Sequence, residues 1–442
     1  MKHEASAGAG APRQRALLLR PLTAPSARNV DIALAEARGL AEALDLDVAS
    51  AEAVHLRQTA PATLLGSGRV EALRAQGEAE RIDVVVIDAA VTPAQQRNLE
   101  RALNVKVIDR TGLILEIFAR RARTREGRLQ VELARQQYER SRLVRTWTHL
   151  ERQRGGLGKM GGPGETQIET DRRLLQRRID RLKREIEDVR RTRAMARRAR
   201  ERAGLPAVVL VGYTNAGKSS LFNRLTKAGV LAKNMPFATL DPTARLVRLP
   251  SGRNVVLADT VGFIADLPTE LVAAFRATLE AAAEADLLVH VRDVAHPETD
   301  AQKADVENVL DQVMAQNGRA HPWAMIEAWN KIDLLDSDRR AGRAQRAESA
   351  RAVIVSALTG EGVDPLLAAI DNAVHGPAQV VSLVLDPGDG RAHAMIAANG
   401  RIIDETVDES GRLHVRAELA LDAIARVRAL LPDAGSMAVA AE

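Results

Sequence analysis

The sequence predicts an α/β protein of several domains. Two separate parts of the chain alternate short apolar runs with helix-like stretches, which is the pattern of parallel strands joined by helices. A long basic stretch with helical spacing lies between them. A length of 442 residues allows about three domains, each with its own core. We therefore expect an N-terminal parallel α/β domain, a basic helical hairpin, a central doubly wound α/β sheet and a small C-terminal α+β domain.

The composition excludes several classes of protein. The chain has no cysteine, which excludes disulfides, thiolate metal sites and cysteine nucleophiles, and its nine histidines show no ligand spacing. No apolar run reaches the about 20 residues of a membrane span, and the polar start does not resemble a signal peptide. These features predict a cytoplasmic protein without a membrane span, and residues 1–15 are expected to be a disordered N-terminus.

The first domain is expected over residues 16–125. Its buried runs alternate with amphipathic stretches, as in a small parallel sheet with crossover helices. The predicted strands are Ala16–Leu22, Asp83–Val91 and Val105–Ile108, and the predicted helices are Asn29–Leu44 and Pro93–Leu103.

A helical hairpin is expected over residues 126–204. Residues 120–154 have helical spacing, and six glycines and one proline within residues 155–164 predict a loop at the tip. The second helix should run to about Ala203, with a narrow apolar seam that packs on the first helix. Its seam residues are Leu175, Ile179, Leu182, Ile186 and Val189.

The hairpin region also concentrates the positive charge. Residues 120–203 hold 26 Lys and Arg against 12 Asp and Glu, a net charge of +14, so the rest of the chain carries −9. Such a block is expected to bind a phosphate backbone, although a solvated arginine-rich helix face would look the same. Because only Tyr138 and Trp147 are aromatic here, we expect recognition of RNA shape rather than base stacking. The candidate RNA contacts are Arg177, Arg178, Arg184, Arg190 and Arg191.

The central domain is expected over residues 205–376, followed by a small domain over 377–442. Its predicted buried strands are Ala207–Val211, Val255–Ala258, Leu287–Val291, Ala324–Ala328 and Ala352–Val355. The last domain has the pattern strand, helix, strand, strand, helix.

A phosphate-binding motif follows the first strand of the central domain. Residues 212–219, GYTNAGKS, match G-x-x-x-x-G-K-[ST] between a strand and a helix. In such a loop the backbone N–H groups surround the phosphates, Lys218 reaches the β- and γ-phosphates, and Ser219 binds Mg²⁺.

Two further elements fit a nucleotide switch. Asp259-Thr-Val-Gly262 ends a predicted strand, where the aspartate can approach Mg²⁺ through water and the Gly262 N–H can contact the γ-phosphate. Thr239, in the loop Pro236–Pro242, can bind Mg²⁺ only in the triphosphate state.

Two more elements predict recognition of guanine. A carboxylate at Asp333, in Asn330-Lys-Ile-Asp333, can accept hydrogen bonds from both N–H donors of guanine, and adenine offers the wrong pattern. Ser356-Ala357-Leu358 follows the next strand and can supply a backbone N–H to the guanine oxygen.

Together these elements resemble the Ras-like GTPase superfamily, which implies GTP or GDP as ligand and Mg²⁺ as cofactor. The implied catalytic residues are Lys218, Thr239 and Gly262, and the implied Mg²⁺ ligands are Ser219, Thr239 and, through water, Asp259. Phe263 stands where Ras-type enzymes have a glutamine, so intrinsic hydrolysis is expected to be slow. Asn215 matches the residue that potassium-activated relatives use, which predicts stimulation by K⁺. The predicted nucleotide-binding residues are Gly212, Tyr213, Thr214, Asn215, Ala216, Gly217, Lys218, Ser219, Ser220, Phe237, Ala238, Thr239, Asp259, Thr260, Val261, Gly262, Asn330, Lys331, Asp333, Ser356, Ala357 and Leu358.

Further motifs narrow the resemblance to the HflX family of ribosome-associated GTPases, over residues 16 to 375. The stretch 161–173 is the most specific of them. The motifs are Gly66–Arg69, Gln130–Ala134, Trp147–Leu150, Gly161–Arg173, Phe237–Thr243 and Phe263–Pro268. The resemblance implies a cytoplasmic GTPase that binds rRNA of the large ribosomal subunit in its GTP state and splits stalled ribosomes under stress. We expect the protein to be a monomer and its hydrolysis to be stimulated by the ribosome.

Three alternatives stay open at this point. A GTPase of ribosome assembly or RNA modification could have the same central domain. The helical segment could instead serve self-association in a scaffold GTPase. A second nucleotide site on the N-terminal domain also stays open, because Gly66–Gly68 alone is too weak to predict one.

Overall fold

The computed structural model describes residues 13–23, 29–153, 163–227, 236–237, 243–265, 280–317, 324–376, 378–386, 388–430 and 437–439. The chain forms two compact units. The first contains the described residues up to Arg190 together with Pro236 and Phe237, and the second contains the others. Within the described part of the chain, no helix has the length and hydropathy that a membrane span requires.

The first unit contains a parallel sheet of four strands in the order β2-β1-β3-β4. Strand β2 was not predicted, because its alanine-rich sequence has no strong apolar run. The elements are β1 (Arg15–Leu22), α1 (Val30–Glu42), β2 (Asp47–His55), α2 (Ser67–Glu80), β3 (Val84–Ile87), α3 (Pro93–Leu103), β4 (Lys106–Asp109) and α4 (Arg110–Arg121).

The two long helices of the hairpin are α5 (Arg125–Gln153) and α6 (Pro163–Arg202). The prediction of one helix over residues 120–154 is wrong at its start. Helix α4 ends at Arg121, and the Thr124 hydroxyl accepts the N–H of Gly127 at 3.0 Å and so begins a new helix. The apolar seam forms as expected, since Ile179, Leu182 and Ile186 are buried against α5. The predicted glycine-rich tip, residues 155–164, lies almost entirely outside the described residues.

A polar network joins α5 to the sheet of the first unit. Asp109, at the end of β4, accepts hydrogen bonds from the Tyr138 hydroxyl at 2.6 Å and the Gly112 N–H at 2.8 Å, and it forms an ion pair with Arg142. Burial and the neighbouring Asp109 carboxylate raise the pKa of Tyr138, so its hydroxyl stays protonated. The network holds α5 at the edge strand.

The first unit also includes Pro236 and Phe237, which follow its other described residues by more than 40 positions in the chain. Phe237 is buried, and its ring packs edge-on against Phe118 of α4 with the ring centroids 4.8 Å apart. Pro236 lies against Gly39 of α1. These two residues therefore belong to the N-terminal core.

The second unit contains a six-stranded sheet in the order β10-β9-β8-β5-β7-β6, in which only β6 is antiparallel to its neighbour. Because the other strands are parallel, their carboxyl ends meet at one edge. The elements are β5 (Ala207–Val211), α7 (Lys218–Thr226), β6 (Thr243–Arg248), β7 (Asn254–Asp259), β8 (Leu287–Asp293), α8 (Thr299–Asn317), β9 (Ala324–Asn330), α9 (Ser337–Ala350), β10 (Val353–Ile354) and α10 (Val363–His375).

An antiparallel sheet of four strands, in the order β12-β13-β11-β14, completes the second unit. Its elements follow the predicted pattern and add a short last strand. They are β11 (Ala378–Leu385), α11 (Gly390–Asn399), β12 (Gly400–Val407), β13 (Leu413–Ala420), α12 (Leu421–Arg428) and β14 (Met437–Val439). The predicted fold class is confirmed.

Candidate nucleotide-binding site

The phosphate loop lies between β5 and α7, with Lys218 as the first residue of the helix. The Lys218 Nζ donates to the carbonyl oxygens of Gly212 at 3.0 Å and Tyr213 at 2.8 Å. Burial lowers the pKa of Lys218 to about 8, and the charge of Asp259 offsets only part of that effect. The loop thus holds a desolvated cation whose charge an anion would stabilise.

Close packing explains two glycines of the site. Gly217 has a φ of +94°, and a Cβ there would lie 2.1 Å from Asn330 Nδ2. A Cβ on Gly262 would lie 2.8 Å from Lys218 Nζ and 2.7 Å from Thr214 Cα. A larger residue at position 217 would displace Asn330, and one at position 262 would displace Lys218.

Oxygen ligands suited to Mg²⁺ lie beside the phosphate loop. The Ser219 hydroxyl donates to Asp259 Oδ2 at 2.7 Å, and Asp259 ends β7 fully buried. A hydroxyl and a carboxylate at this distance fit a small hard cation, which takes oxygen ligands together with phosphate oxygens and waters. Among the described residues, no three His, Asp or Glu side chains cluster so that they could hold a metal ion. The predicted ligand Thr239, like Ala238, lies outside the described residues.

The segment after β7 lies directly on the phosphate loop. The Thr260 hydroxyl donates to the Leu210 carbonyl at 2.7 Å, and Val261 is fully buried. Phe263, at the position where Ras-type enzymes have glutamine, is also buried. Its side chain has no group that could orient a water.

Asn330 joins the two halves of the site. Its Nδ2 donates to the Ala216 carbonyl at 2.8 Å, and its Oδ1 accepts the N–H of Ala357 at 2.9 Å. The asparagine is 1% exposed, so these bonds are shielded from water. These two bonds hold the phosphate loop and the loop 356–358 in fixed positions relative to each other.

Asp333 has the environment expected of a base-binding carboxylate. Its Oδ1 accepts the Ser356 hydroxyl at 2.5 Å, which orients the group. Next to it, the Lys331 Nζ lies 2.8 Å from Asp293 Oδ2. Leu358 is 75% exposed and continues the loop at the surface.

Arg224 is a residue of the site that the sequence did not indicate. From α7, its Nε donates to the Ala357 carbonyl at 3.2 Å and its guanidinium also reaches the Leu358 carbonyl. No motif marks this arginine, because its partners lie more than 130 positions away in the chain. The structure therefore brings together four predicted loops, 212–219, 259–262, 330–333 and 356–358, while Phe237 makes its contacts in the first unit.

The candidate RNA-binding arginines lie along α6. Arg177, Arg178, Arg184 and Arg191 are exposed, and Arg178 lies 3.9 Å from Glu132. Arg190 is partly buried and pairs with Glu187 at 3.3 Å. It is the least accessible of the five.

Three family models match the chain. Residues 31–119 match the model described as GTP-binding GTPase N-terminal, residues 121–200 match GTP-binding GTPase Middle Region, and residues 207–331 match 50S ribosome-binding GTPase. Among solved structures, a GTP-binding protein from Sulfolobus solfataricus in complex with GDP is 23% identical, with 82% of this chain and 98% of that chain covered and a TM-score of 0.45.

Curated relatives are more similar in sequence. GTPase HflX from Magnetococcus marinus is 50% identical over 88% of this chain and 89% of its own length. GTPase HflX from Escherichia coli is 44% identical over 86% of both chains. At this identity and coverage, and with the phosphate and base loops assembled as described, the chain belongs to the HflX family of GTPases, enzymes that hydrolyse GTP.

Proposed function

We propose that this protein binds the large ribosomal subunit in its GTP state, splits stalled ribosomes under stress, and leaves when GTP is hydrolysed. The observation that carries the proposal is the hairpin α5–α6. Its apolar residues pack on each other, so the arginines lie outside where RNA phosphates can reach them. The match of residues 207–331 to a family described as 50S ribosome-binding supports the same partner.

The nucleotide-binding residues in this proposal are those predicted in the four loops together with Ser220, Phe237 and, outside the described residues, Ala238 and Thr239. Ser219, Thr239 and Asp259 would hold Mg²⁺, which supplies positive charge to the phosphates when bound. Asn215 is exposed on the phosphate loop with a φ of +61°, and we expect its side chain to contact a monovalent cation. We expect faster turnover in K⁺ than in Na⁺, and equal turnover would overturn this part.

Hydrolysis without the ribosome is expected to be slow, because the buried Phe263 cannot position the attacking water. The protein would act as a monomer in the cytoplasm, and the ribosome would stimulate it. A monomeric mass at micromolar concentration supports this state, and a stable dimer would favour a scaffold role.

Co-sedimentation with purified large and small ribosomal subunits tests the proposal. The protein is loaded with GDP or with a non-hydrolysable GTP analogue at moderate salt. We expect binding to the large subunit only with the analogue. The triple variant Arg177→Glu, Arg184→Glu, Arg191→Glu should lose this binding, since it reverses charge along α6.

A matched control changes the same number of exposed arginines elsewhere. Arg339→Glu, Arg346→Glu and Arg351→Glu lie on or next to α9 and should leave ribosome binding intact. Equal loss in both triple variants would indicate non-specific attraction. Failure of the wild-type protein to bind either subunit would overturn the proposal and favour RNA modification or assembly.

A further inference from the structure

Among the described residues, three hydrogen bonds join the phosphate loop to residues 263–265. The Thr214 N–H donates to the Phe263 carbonyl at 2.7 Å, and the Phe263 N–H donates to the Gly212 carbonyl at 3.0 Å. The third bond runs from the Ala265 N–H to the Tyr213 hydroxyl at 2.9 Å. Of these three bonds, the third involves a side chain and can therefore be removed by a substitution that leaves the backbone groups unchanged.

The Tyr213 bond is protected from solvent. Tyr213 is 4% exposed and Ala265 is 5% exposed. A hydrogen bond in such surroundings is stronger than one that competes with water. The tyrosine therefore fixes the position of the chain just beyond Gly262.

That position matters for the phosphate site because Gly262 lies against Lys218. A Cβ on Gly262 would lie only 2.8 Å from Lys218 Nζ, so there is no space for a side chain between the Gly262 backbone and the lysine ammonium. A shift of residues 263–265 would carry Gly262 with it and change what the Lys218 side chain faces. The γ-phosphate is the group that both Lys218 and the Gly262 N–H reach in GTPases of this type.

We propose that the Tyr213 hydroxyl is a positioning residue for GTP hydrolysis, acting through Ala265 on Gly262. It holds this segment in place before the triphosphate arrives, so that less reorganisation is needed for the reaction. GDP has no γ-phosphate, so the hydroxyl contributes to turnover and not to GDP affinity. The inference concerns hydrolysis alone and does not depend on ribosome binding.

Tyr213→Phe tests this directly, and Tyr138→Phe is a matched control because the chain has only two tyrosines. Tyr138 also donates a hydrogen bond through its hydroxyl, but the bond is partly buried and lies within the first unit. We expect Tyr213→Phe to lower kcat about fivefold, the effect of one buried hydrogen bond, with KM for GTP and Kd for GDP within twofold of wild type. Tyr138→Phe should leave kcat unchanged.

Amide hydrogen exchange of the peptide over residues 260–265 gives an independent readout. We expect faster exchange at the Ala265 amide in Tyr213→Phe than in the wild-type protein. In Tyr138→Phe the exchange at Ala265 should be unchanged. An unchanged or increased kcat, an equal loss of kcat and GDP affinity, or unchanged exchange at Ala265 would each overturn the proposal.

Discussion

Arg110 in the first unit and Lys218 in the second are equally buried, each 5% exposed, but their charges are held in opposite ways. The Arg110 guanidinium contacts Asp88 at 2.5 Å and Glu36 at 2.8 Å. Burial alone would lower the pKa of Arg110, and the two carboxylates outweigh it and raise the pKa. The Lys218 ammonium donates to neutral carbonyls, and burial lowers its pKa.

The difference separates a structural charge from a functional one. A buried cation with two carboxylates is satisfied by the protein itself, and removing a partner leaves an uncompensated charge. A buried cation whose hydrogen bonds go to neutral carbonyls is costly until an anion binds, and such a group is typical of a ligand site. The same degree of burial therefore predicts opposite results when each region is mutated.

Lys218→Ala should have the largest effect on ligand binding. We expect at least about a thousandfold loss of GTP affinity, because several charge-assisted hydrogen bonds to phosphate are lost. The free energy of unfolding should stay constant or rise, since the removed charge was desolvated. Titration with a fluorescent GTP analogue and urea denaturation measure the two. An unfolded variant would show that Lys218 is structural.

Asp88→Asn should produce the opposite pattern. The change weakens the pairing of both Arg20 and Arg110, so we expect a loss of about 3 kcal/mol in the free energy of unfolding. GTP turnover per folded molecule should be unchanged. Arg74→Ala is the control, because it removes an exposed pair with Glu78 and should cost less than about 0.5 kcal/mol. Equal free energies of unfolding for the two variants would show that the ion pairs of Asp88 with Arg20 and Arg110 do not stabilise the fold.

Asp333→Asn tests the base side of the second unit. The amide can accept one hydrogen bond from guanine and presents a donor in place of the second acceptor, so we expect about a hundredfold loss of GTP affinity. Xanthine carries a carbonyl in place of the guanine amine. Xanthosine triphosphate should therefore bind the Asp333→Asn variant more tightly than it binds the wild-type protein. Competition binding with both nucleotides measures the change. Equal weakening for both would place Asp333 outside base recognition.

The pH dependence of binding should be the smallest effect. Because the pKa of Lys218 is about 8 in the free protein and phosphates favour the ammonium, GTP binding takes up a proton above pH 8. The association constant should then fall by up to about tenfold per pH unit above 8. In the nucleotide-free protein the same lowered pKa makes the folded state more stable as pH rises from 8 towards the ordinary value of 10.5.

Calorimetry in two buffers of different ionisation enthalpy measures this proton uptake. Lys218→Arg is the control, since arginine stays charged throughout the range. The guanine base also ionises, and it does so whichever protein binds the nucleotide. Only the difference in proton uptake between wild type and Lys218→Arg therefore reports on the lysine. Equal proton uptake would contradict the lowered pKa.

Local patterns accounted for much of the fold and of the site. The phosphate loop was predictable because all its groups lie within eight consecutive residues between a strand and a helix. The hairpin seam was predictable from spacing alone. Strand β2 was not, because alanines carry little hydrophobic signal, and the start of α5 depended on the Thr124 cap.

The sequence by itself determined the fold class, the four loops of the nucleotide site and the basic charge of the hairpin, because each depends on residues close together in the chain. Tertiary structure alone decided which buried charges are paired. Arg110 meets Asp88 from 22 positions away and Glu36 from 74, and Arg224 meets Ala357 from 133. No local pattern encodes such partners, since only the packed sheet and helices bring them within hydrogen-bond distance.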